Sequence, residues 1–379
     1  MKICIDVRPV QNANKVRGIG VLMNNLLTEM GRQAGDDDEF ILITQQGSEP
    51  PRWFEREKRI KTFRPERPNR FNWLADQLFL PSIVKRSGAQ VFLGTDFNSY
   101  LVPPRGVRVV SLLYDVIPLL FPEVLAQQPF SIRIGWPLNF RKLRRSDRLL
   151  AISQATRTDA IKLLYLDPDA VSVAYPGIDH GLFCPGRSGD LAEQQRVRQR
   201  YGITGDFFVY VGDTDWRKNL TRMLEAFERV SGEVSLVLAG KRAAQDQAVA
   251  GMIRQLGLEA RVILTGFVPE EDLPPLYGSA LGLLFPSLYE GFGIPVAEAM
   301  ACGCPVITST ISSLPEVAGD AALLVNPESV VEIVGAMERI RDDRVLRERM
   351  KVDGIRHAAK FSWQCYGAEV LEALRNWGV

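Results

Sequence analysis

Short apolar runs and longer segments with helical spacing alternate along almost the whole chain. Runs at 3–7, 40–44, 91–93, 109–113, 149–152 and 171–174 are β-branched or leucine-rich, and segments such as 21–30, 72–84 and 155–164 between them repeat apolar residues every three to four positions. Strands that are apolar throughout, rather than alternating, are covered on both faces, and their alternation with helices makes the sheet parallel. The rhythm pauses between Tyr175 and Arg200, where PGIDHGLFCPGRSGD is rich in Gly and Pro and reads as a linker. It resumes with six runs at 207–211, 234–239, 262–264, 281–285, 306–308 and 323–325. Two doubly wound parallel-sheet α/β domains joined near residue 180 are predicted, with a ligand cleft between them. From Val330 onward the pattern is helical and charged, and Phe361, Trp363 and Tyr366 form an aromatic cluster suited to packing a terminal helix onto a domain surface.

Composition narrows the classes of function. A chain of 379 residues is too long for one ordinary core. A net charge of +1 removes the bulk electrostatic case for nucleic acid as the main partner. Five cysteines, odd in number and without a C-x-x-C pair, indicate neither a disulfide framework nor a zinc site and fit a reducing cytoplasm. The N-terminus enters a strand directly, and no apolar run approaches the roughly 18 residues of a membrane span. A cytoplasmic protein is expected, or one peripheral to the inner face of a membrane. Local charge supports the second option: from Arg52 to Arg70 eight Lys or Arg (52, 56, 58, 59, 61, 64, 67, 70) stand against three Glu, interleaved with Trp53, Phe54 and Phe63. Arg141, Arg144 and Arg145 follow with i, i+3, i+4 spacing on one helix face. Basic and aromatic residues together suit an anionic membrane surface or a lipid-diphosphate acceptor, and they also suit a solvated loop.

The stretch with most chemistry is GLLFPSLYEGFGIPVAEAMACGCPVIT, residues 282–308. It reads as strand, loop, helix and strand, which puts the loop Glu290-Gly291-Phe292-Gly293 at the carboxyl end of a parallel strand, where open α/β sheets bind ligands. Glycines there allow close backbone approach, and the following helix points unpaired N–H groups at the same place. Glu290 and Glu298 are eight positions apart, too far to share a proton, and suit hydroxyl groups at two places on one long ligand. The plainer alternatives are a turn acid and a solvated helix face. Arg217-Lys218-Asn219 follows the strand FFVYVG and opens a helix, where the dipole disfavours cations, so an anion bound between them makes sense of both. A solvated loop charge is the alternative. Gly18-Ile19-Gly20 is a second glycine loop, or a tight turn. No G-x-G-x-x-G or P-loop is present, and with only His180 and His357 a Ser-His-Asp triad has little to draw on. Asp167-Pro168-Asp169 and Asp213-Thr214-Asp215 match a metal-binding D-x-D, but the first reads as a turn and the second abuts Arg217.

These motifs in this order resemble the retaining glycosyltransferases of family 4: Glu290 and Glu298 around GFGIP, Arg217-Lys218-Asn219 after a Val-Gly strand end, Gly266-Phe267-Val268-Pro269, Tyr175-Pro176-Gly177-Ile178-Asp179, and Gly18-Ile19-Gly20. The resemblance covers nearly the whole chain. It implies the GT-B fold: an acceptor-binding Rossmann-like domain over 1–180, a nucleotide-sugar-binding one over 181–360, and a final helix at 361–379 that packs back on the first. It implies that Glu290 meets donor sugar hydroxyls beside the Gly291, Phe292 and Gly293 backbone, that Glu298 binds ribose, that Lys218 with Arg217 holds the diphosphate, that Gly18 and Gly20 approach it from the other domain, and that Phe267 and Val268 border the base. Tyr114-Asp115 stands where many relatives have His-Asp, and both belong to the catalytic set by this resemblance. No cofactor and no metal are implied, since fixed cations and dipoles serve a departing diphosphate.

Two departures bear on mechanism. Tyr114 can hydrogen-bond a sugar hydroxyl but cannot be a cation near neutral pH. Asp213 stands where many relatives carry Arg after the Val-Gly strand end, so diphosphate binding rests on Arg217 and Lys218, or Asp213 faces elsewhere. YDVIPLLFPE with WRKN is most similar to mannosyltransferase-type members, which makes GDP-mannose the first donor and a saccharide or lipid-linked saccharide the acceptor. A nucleotide-sugar 2-epimerase of the same fold and a non-catalytic nucleotide-sugar sensor are the alternatives.

Overall fold

The computed structural model of the chain describes residues 1–11, 18–45, 50–62, 72–96 and 105–376, with the side chains of 62, 72–78 and 131 set aside. The chain forms two compact units, one of Met1–Gly177 with Trp363–Val379 and the other of Ile178–Ser362. The first holds strands β1 (Lys2–Asp6), β2 (Glu39–Gln45), β3 (Glu57–Thr62), β4 (Val91–Gly94), β5 (Arg108–Leu113), β6 (Arg148–Ala151) and β7 (Val171–Val173). They lie in the order β3-β2-β1-β4-β5-β6-β7, every neighbour parallel. The second holds β8 (Asp206–Val211), β9 (Val234–Ala239), β10 (Val262–Gly266), β11 (Gly282–Phe285), β12 (Val306–Ser309) and β13 (Leu323–Val325), in the order β10-β9-β8-β11-β12-β13, again all parallel.

In both sheets the chain steps outward from its first strand and then returns to build on the other side. The reversal falls between β1 and β4 in the first unit and between β8 and β11 in the second. At such switch points the loops leave their strands in opposite directions and open a crevice at the carboxyl ends. Of the strands that flank these points, β4 (VFLG) and β11 (GLLF) are buried at every position, as strands of a covered parallel sheet are.

Four local readings change. Residues 57–62, EKRIKT, form the edge strand β3, which the apolar pattern does not predict. An edge strand faces water along one side, so charged residues are tolerated and discourage further pairing. Phe54, in the basic stretch taken as a membrane patch, is 2% exposed and stacks on Phe40 with ring centroids 3.7 Å apart, while the buried Glu57 carboxylate accepts from Arg59 Nε at 2.8 Å. Residues 63–70 of that stretch, including Phe63, Arg64, Arg67 and Arg70, lie outside the described residues. The segment read as a linker is built into the second unit, where Ile178 and Phe183 are buried, His180 meets the Phe361 carbonyl at 3.0 Å, and Asp190 caps a helix at Leu191–Arg200. Arg144 and Arg145 lie in the turn after the helix Phe130–Leu143, so only Arg141 of that trio is helical.

The last helix, Trp363–Arg375, packs in the first unit along the helix Gly18–Gln33. Gln33 Nε2 donates to the Gln364 carbonyl at 2.9 Å, Arg375 Nη2 pairs with Asp38 Oδ2 at 2.6 Å, and Gly367 lets the two backbones approach.

Candidate functional site

At the switch point of the second unit, the loops after β8 and β11 are stitched together at four points. The Leu288 amide donates to the Arg217 carbonyl at 2.7 Å, Arg217 Nη1 donates to the Tyr289 carbonyl at 3.4 Å, Lys218 Nζ reaches Glu290 Oε1 at 2.7 Å, and Asn219 Nδ2 donates to the Pro286 carbonyl at 3.0 Å. The three residues 217–219 can all point this way because Asp215 caps the short turn Trp216–Lys218 and Asn219 takes a left-handed φ of 60° before the helix Leu220–Arg229. Asn219 Nδ2 also donates to the Pro327 carbonyl at 2.7 Å, so one buried amide ties three loops. No role for Asn219 follows from the sequence alone, although an Asn at a helix start is a general sign of capping. Lys218 Nζ also sits 4.9 Å from the centre of the Phe285 ring, and the ammonium and the carboxylate are 14% and 10% exposed.

The Glu290–Gly293 loop is fixed from outside by two serines. Ser312 Oγ accepts from the Glu290 amide at 3.0 Å and stands 2.6 Å from its carbonyl, and Ser313 Oγ reaches the Glu290 and Phe292 carbonyls at 3.0 and 2.7 Å. These serines, in the turn before the helix Leu314–Ala318, belong to none of the motifs read from the sequence. Gly293 has φ 106° and precedes the helix Ile294–Ala301, and a Cβ placed on it would lie 2.7 Å from Leu314 Cδ2. Asp213 faces away from this pair: its Oδ2 lies 3.2 Å from Arg242 Nη1, and its Oδ1 accepts from the Thr214 amide at 2.8 Å. The Asp167 and Asp215 carboxylates cap their own short turns. After β10, Val268 is buried and Phe267 stands 69% exposed.

The predicted residues of the first unit fall in different surroundings. Gly18 and Gly20 occupy the first turn of the helix Gly18–Gln33; Gly18 is exposed and a Cβ there would meet no atom within 4 Å among the described residues. Asp115 Oδ1 accepts from the Ile117 amide at 3.0 Å and starts a short helix at Ile117–Leu120. Tyr114 departs from the expectation of a substrate-facing hydroxyl: its Oη is enclosed, near Tyr366, without a hydrogen-bond partner among the described residues, and burial pushes its pKa up. The switch point of this sheet carries a polar cluster the motifs miss. Asp6 grips Arg8 with two bonds of 2.7 Å, Thr95 Oγ1 donates to the Asp6 carbonyl at 2.5 Å, and the buried Lys142, held by Asn139 Oδ1 at 3.2 Å, has its pKa drawn down to about 7 by burial against the opposing pull of Asp96 and Asp6. The sign in the sequence is slight: Asp6 and Arg8 close the first strand, and Lys142 sits in an otherwise exposed basic run.

Comparison with known proteins sets this geometry in a family. Residues 193–357 match the family described as glycosyl transferases group 1. The O-antigen chain mannosyltransferase B of Escherichia coli is 31% identical over 288 residues, covering 73% of this chain and 72% of that protein. The chain is a family 4, group 1 glycosyltransferase. Another relative of the glycosyltransferase, the serotype-specific mannosyltransferase WbdA of Escherichia coli, is 27% identical over 96% of this chain, which spans 46% of that protein's length. Sucrose-phosphate synthase from Thermosynechococcus elongatus superposes with a TM-score of 0.80 at 17% identity over 99% of this chain and 98% of that one, a likeness of fold, GT-B. No helix among the described residues of the glycosyltransferase is long and apolar enough to cross a membrane.

Glu298 of the glycosyltransferase lies in the second turn of the helix Ile294–Ala301, half-buried beside Tyr277. Burial, with Glu270 nearby, pushes its pKa from the ordinary 4.5 up to about 8. Between those values the native chain holds a proton that the unfolded chain releases, so this group makes stability fall as pH rises across that window. Glu298→Gln, which cannot ionise, is expected to melt above the wild type at pH 8 and level with it near pH 4.5. Thermal unfolding across this range checks it, and a gap independent of pH would show that Glu298 is not held protonated.

Proposed function

We propose that the second unit holds a nucleotide-diphosphate hexose and that the chain transfers the hexose, without a metal and with retention of configuration, to a saccharide acceptor taken up by the first unit. The observation that most supports this is the Lys218–Glu290 pair at the switch point of the second sheet. A cation and an anion at 2.7 Å neutralise each other while no ligand is bound, and one ligand can satisfy both on exchange. A diphosphate takes the ammonium, with Arg217 beside it, and sugar hydroxyls donate to the carboxylate. The C1–O bond to the diphosphate then breaks as the acceptor oxygen bonds to C1 on the same face, and the acceptor proton passes to the departing phosphate oxygen. Charge develops on that oxygen, so cations already in place act where the transition state differs most from the bound donor. In the same reading Glu298 accepts from ribose hydroxyls, and the backbone of Phe267 and Val268 borders the base.

Mannose is the sugar we favour, because two relatives carry mannosyltransferase names and YDVIPLLFPE and WRKN resemble that type of member. A lipid carries the acceptor in our reading, and the protein works at the inner face of an anionic membrane. The test incubates the protein with GDP-mannose, GDP-glucose, UDP-glucose and UDP-galactose, with and without a lipid-linked saccharide, and follows nucleoside diphosphate release and the anomeric signal of the product. Acceptor-dependent release from GDP-mannose with an α product is expected. An epimerised donor would make the protein an epimerase, and no turnover with any donor would make it a binding protein.

A further inference from the structure

The helix Phe130–Leu143 buries Phe140 and Leu143 in the core of the first unit but also carries an outward apolar stripe and inward polar residues. Phe130, Ile134 and Leu138 are 75%, 45% and 40% exposed, while Asn139 and Lys142 are each 4% exposed and turn into the first unit. A surface helix ordinarily buries its apolar stripe and leaves Lys and Asn in water. At about 100° per residue, Phe130, Ile134, Leu138 and Arg141 share one face about 80° wide, with Arg133 at its margin. Arg133, Arg141, Arg144 and Arg145 are all exposed, and none makes an ion pair among the described residues. From 124 to 146 the sequence has no acidic residue. Beside the stripe, Pro122, Leu125, Ala126, Phe130, Arg133 and Ile134 line a shallow recess of about 290 Å³.

We propose that this face docks on an anionic phospholipid bilayer, with Phe130, Ile134 and Leu138 entering the headgroup boundary and the four arginines meeting lipid phosphates. Charge complementarity selects this partner, since four exposed arginines of the helix and the turn after it stand against the exposed Glu123 of the short helix Pro122–Ala126. Three apolar side chains in one line are also too few for the buried centre of a stable protein interface, which draws on about 20–30 residues a side. The inward turn of Asn139 and Lys142 has a counterpart inside the unit: both belong to the polar cluster with Asp6, Arg8 and Asp96. One helix thus joins an outward apolar edge to the charged switch point of its sheet. For its purpose the surface rests on the lipid-borne acceptor proposed above, but vesicle binding is read with neither donor nor acceptor present, so the two readings fail separately.

The experiment sediments the full chain with vesicles of phosphatidylcholine alone or mixed with phosphatidylglycerol. Wild type should pellet with the anionic vesicles, and at least ~10-fold more weakly with neutral ones or in high salt. Phe130→Ser with Ile134→Ser and Leu138→Ser should abolish pelleting and lower the melting temperature by only a few degrees, because all three side chains are partly in water and Phe140 and Leu143 keep the helix packed. Arg133→Gln with Arg141→Gln, Arg144→Gln and Arg145→Gln should remove the preference for anionic lipid. Pelleting of the two variants equal to wild type would overturn the proposal. So would loss of a dimer on size exclusion with vesicle binding intact, which would give the face to a second copy of the chain.

Discussion

Glu290→Gln is expected to slow hexose transfer by about 10²- to 10³-fold, with little change in the amount of folded protein. The carboxamide keeps the shape of the side chain, and the loop that carries it is held through backbone atoms by Ser312 and Ser313, which the substitution does not touch. What is lost is the charge. A neutral amide accepts a sugar hydroxyl about half as strongly as a carboxylate does and cannot respond to positive charge developing at C1. In the free protein Lys218 loses its counter-charge, and because both side chains retain some exposure the cost is about 1–2 kcal/mol, or about 2–8 °C in the melting temperature of a unit this size. Lys218→Met acts on the same pair from the other side and should appear mainly as weaker donor binding. The two substitutions together should lose less than the sum of their separate effects, since the second removes a partner already stranded by the first. Initial rates and donor titrations on the four proteins test this, and a Glu290→Gln enzyme with wild-type turnover would remove Glu290 from the donor site.

The sheets are legible in the sequence because both of their faces are covered, which forces continuous apolar runs, and all six runs of the second half become strands of one parallel sheet. The exception in the first half, β3, has a physical reason: an edge strand takes part of its solvation from water, so EKRIKT needs no apolar code. The glycine loop and the two cations are legible because each is locally expensive, Gly293 in backbone entropy and Lys218 against a helix dipole, and unrewarded cost in a sequence points to a ligand or a close contact. What supports them is not legible. Asn219, Ser312 and Ser313 act through single hydrogen bonds to carbonyls far away in sequence, and Asn and Ser occur in turns for many reasons. Asp213 shows the opposite limit, for its partner Arg242 comes from the loop after β9 and only the folded sheet brings them to 3.2 Å. Lys142 is harder still, since nothing in RKLRR distinguishes the cation that is buried from those that stay in water.

Gly293→Ala should destabilise the second unit by about 2–4 kcal/mol, more than any conservative change in the surrounding loop. Two separate costs meet at this position. A φ of 106° is strained for any residue with a Cβ, at about 1–3 kcal/mol, and the added methyl would lie 2.7 Å from Leu314 Cδ2, within a fully buried side chain that has little room to move. The two can be separated. Leu314→Ala alone opens a cavity and costs about 2–5 kcal/mol, but in the Gly293→Ala background the smaller side chain relieves the contact, so the double variant should be more stable than the sum predicts by about 1–2 kcal/mol. Whatever strain remains in the double variant belongs to φ. The backbone that moves is also the one proposed to meet the donor: the Gly293 carbonyl accepts from the Val296 amide at 2.9 Å and sets the first turn of the helix that carries Glu298. Donor affinity should therefore fall at least ~10-fold in Gly293→Ala and recover only in part in the double variant, because Leu314→Ala relaxes the packing and leaves the dihedral strained. Thermal unfolding and donor titration on the three variants supply the numbers. A Gly293→Ala melting temperature within about a degree of wild type would mean that this turn is not held at a left-handed φ, and the Glu290 loop would lose its claim to be preformed.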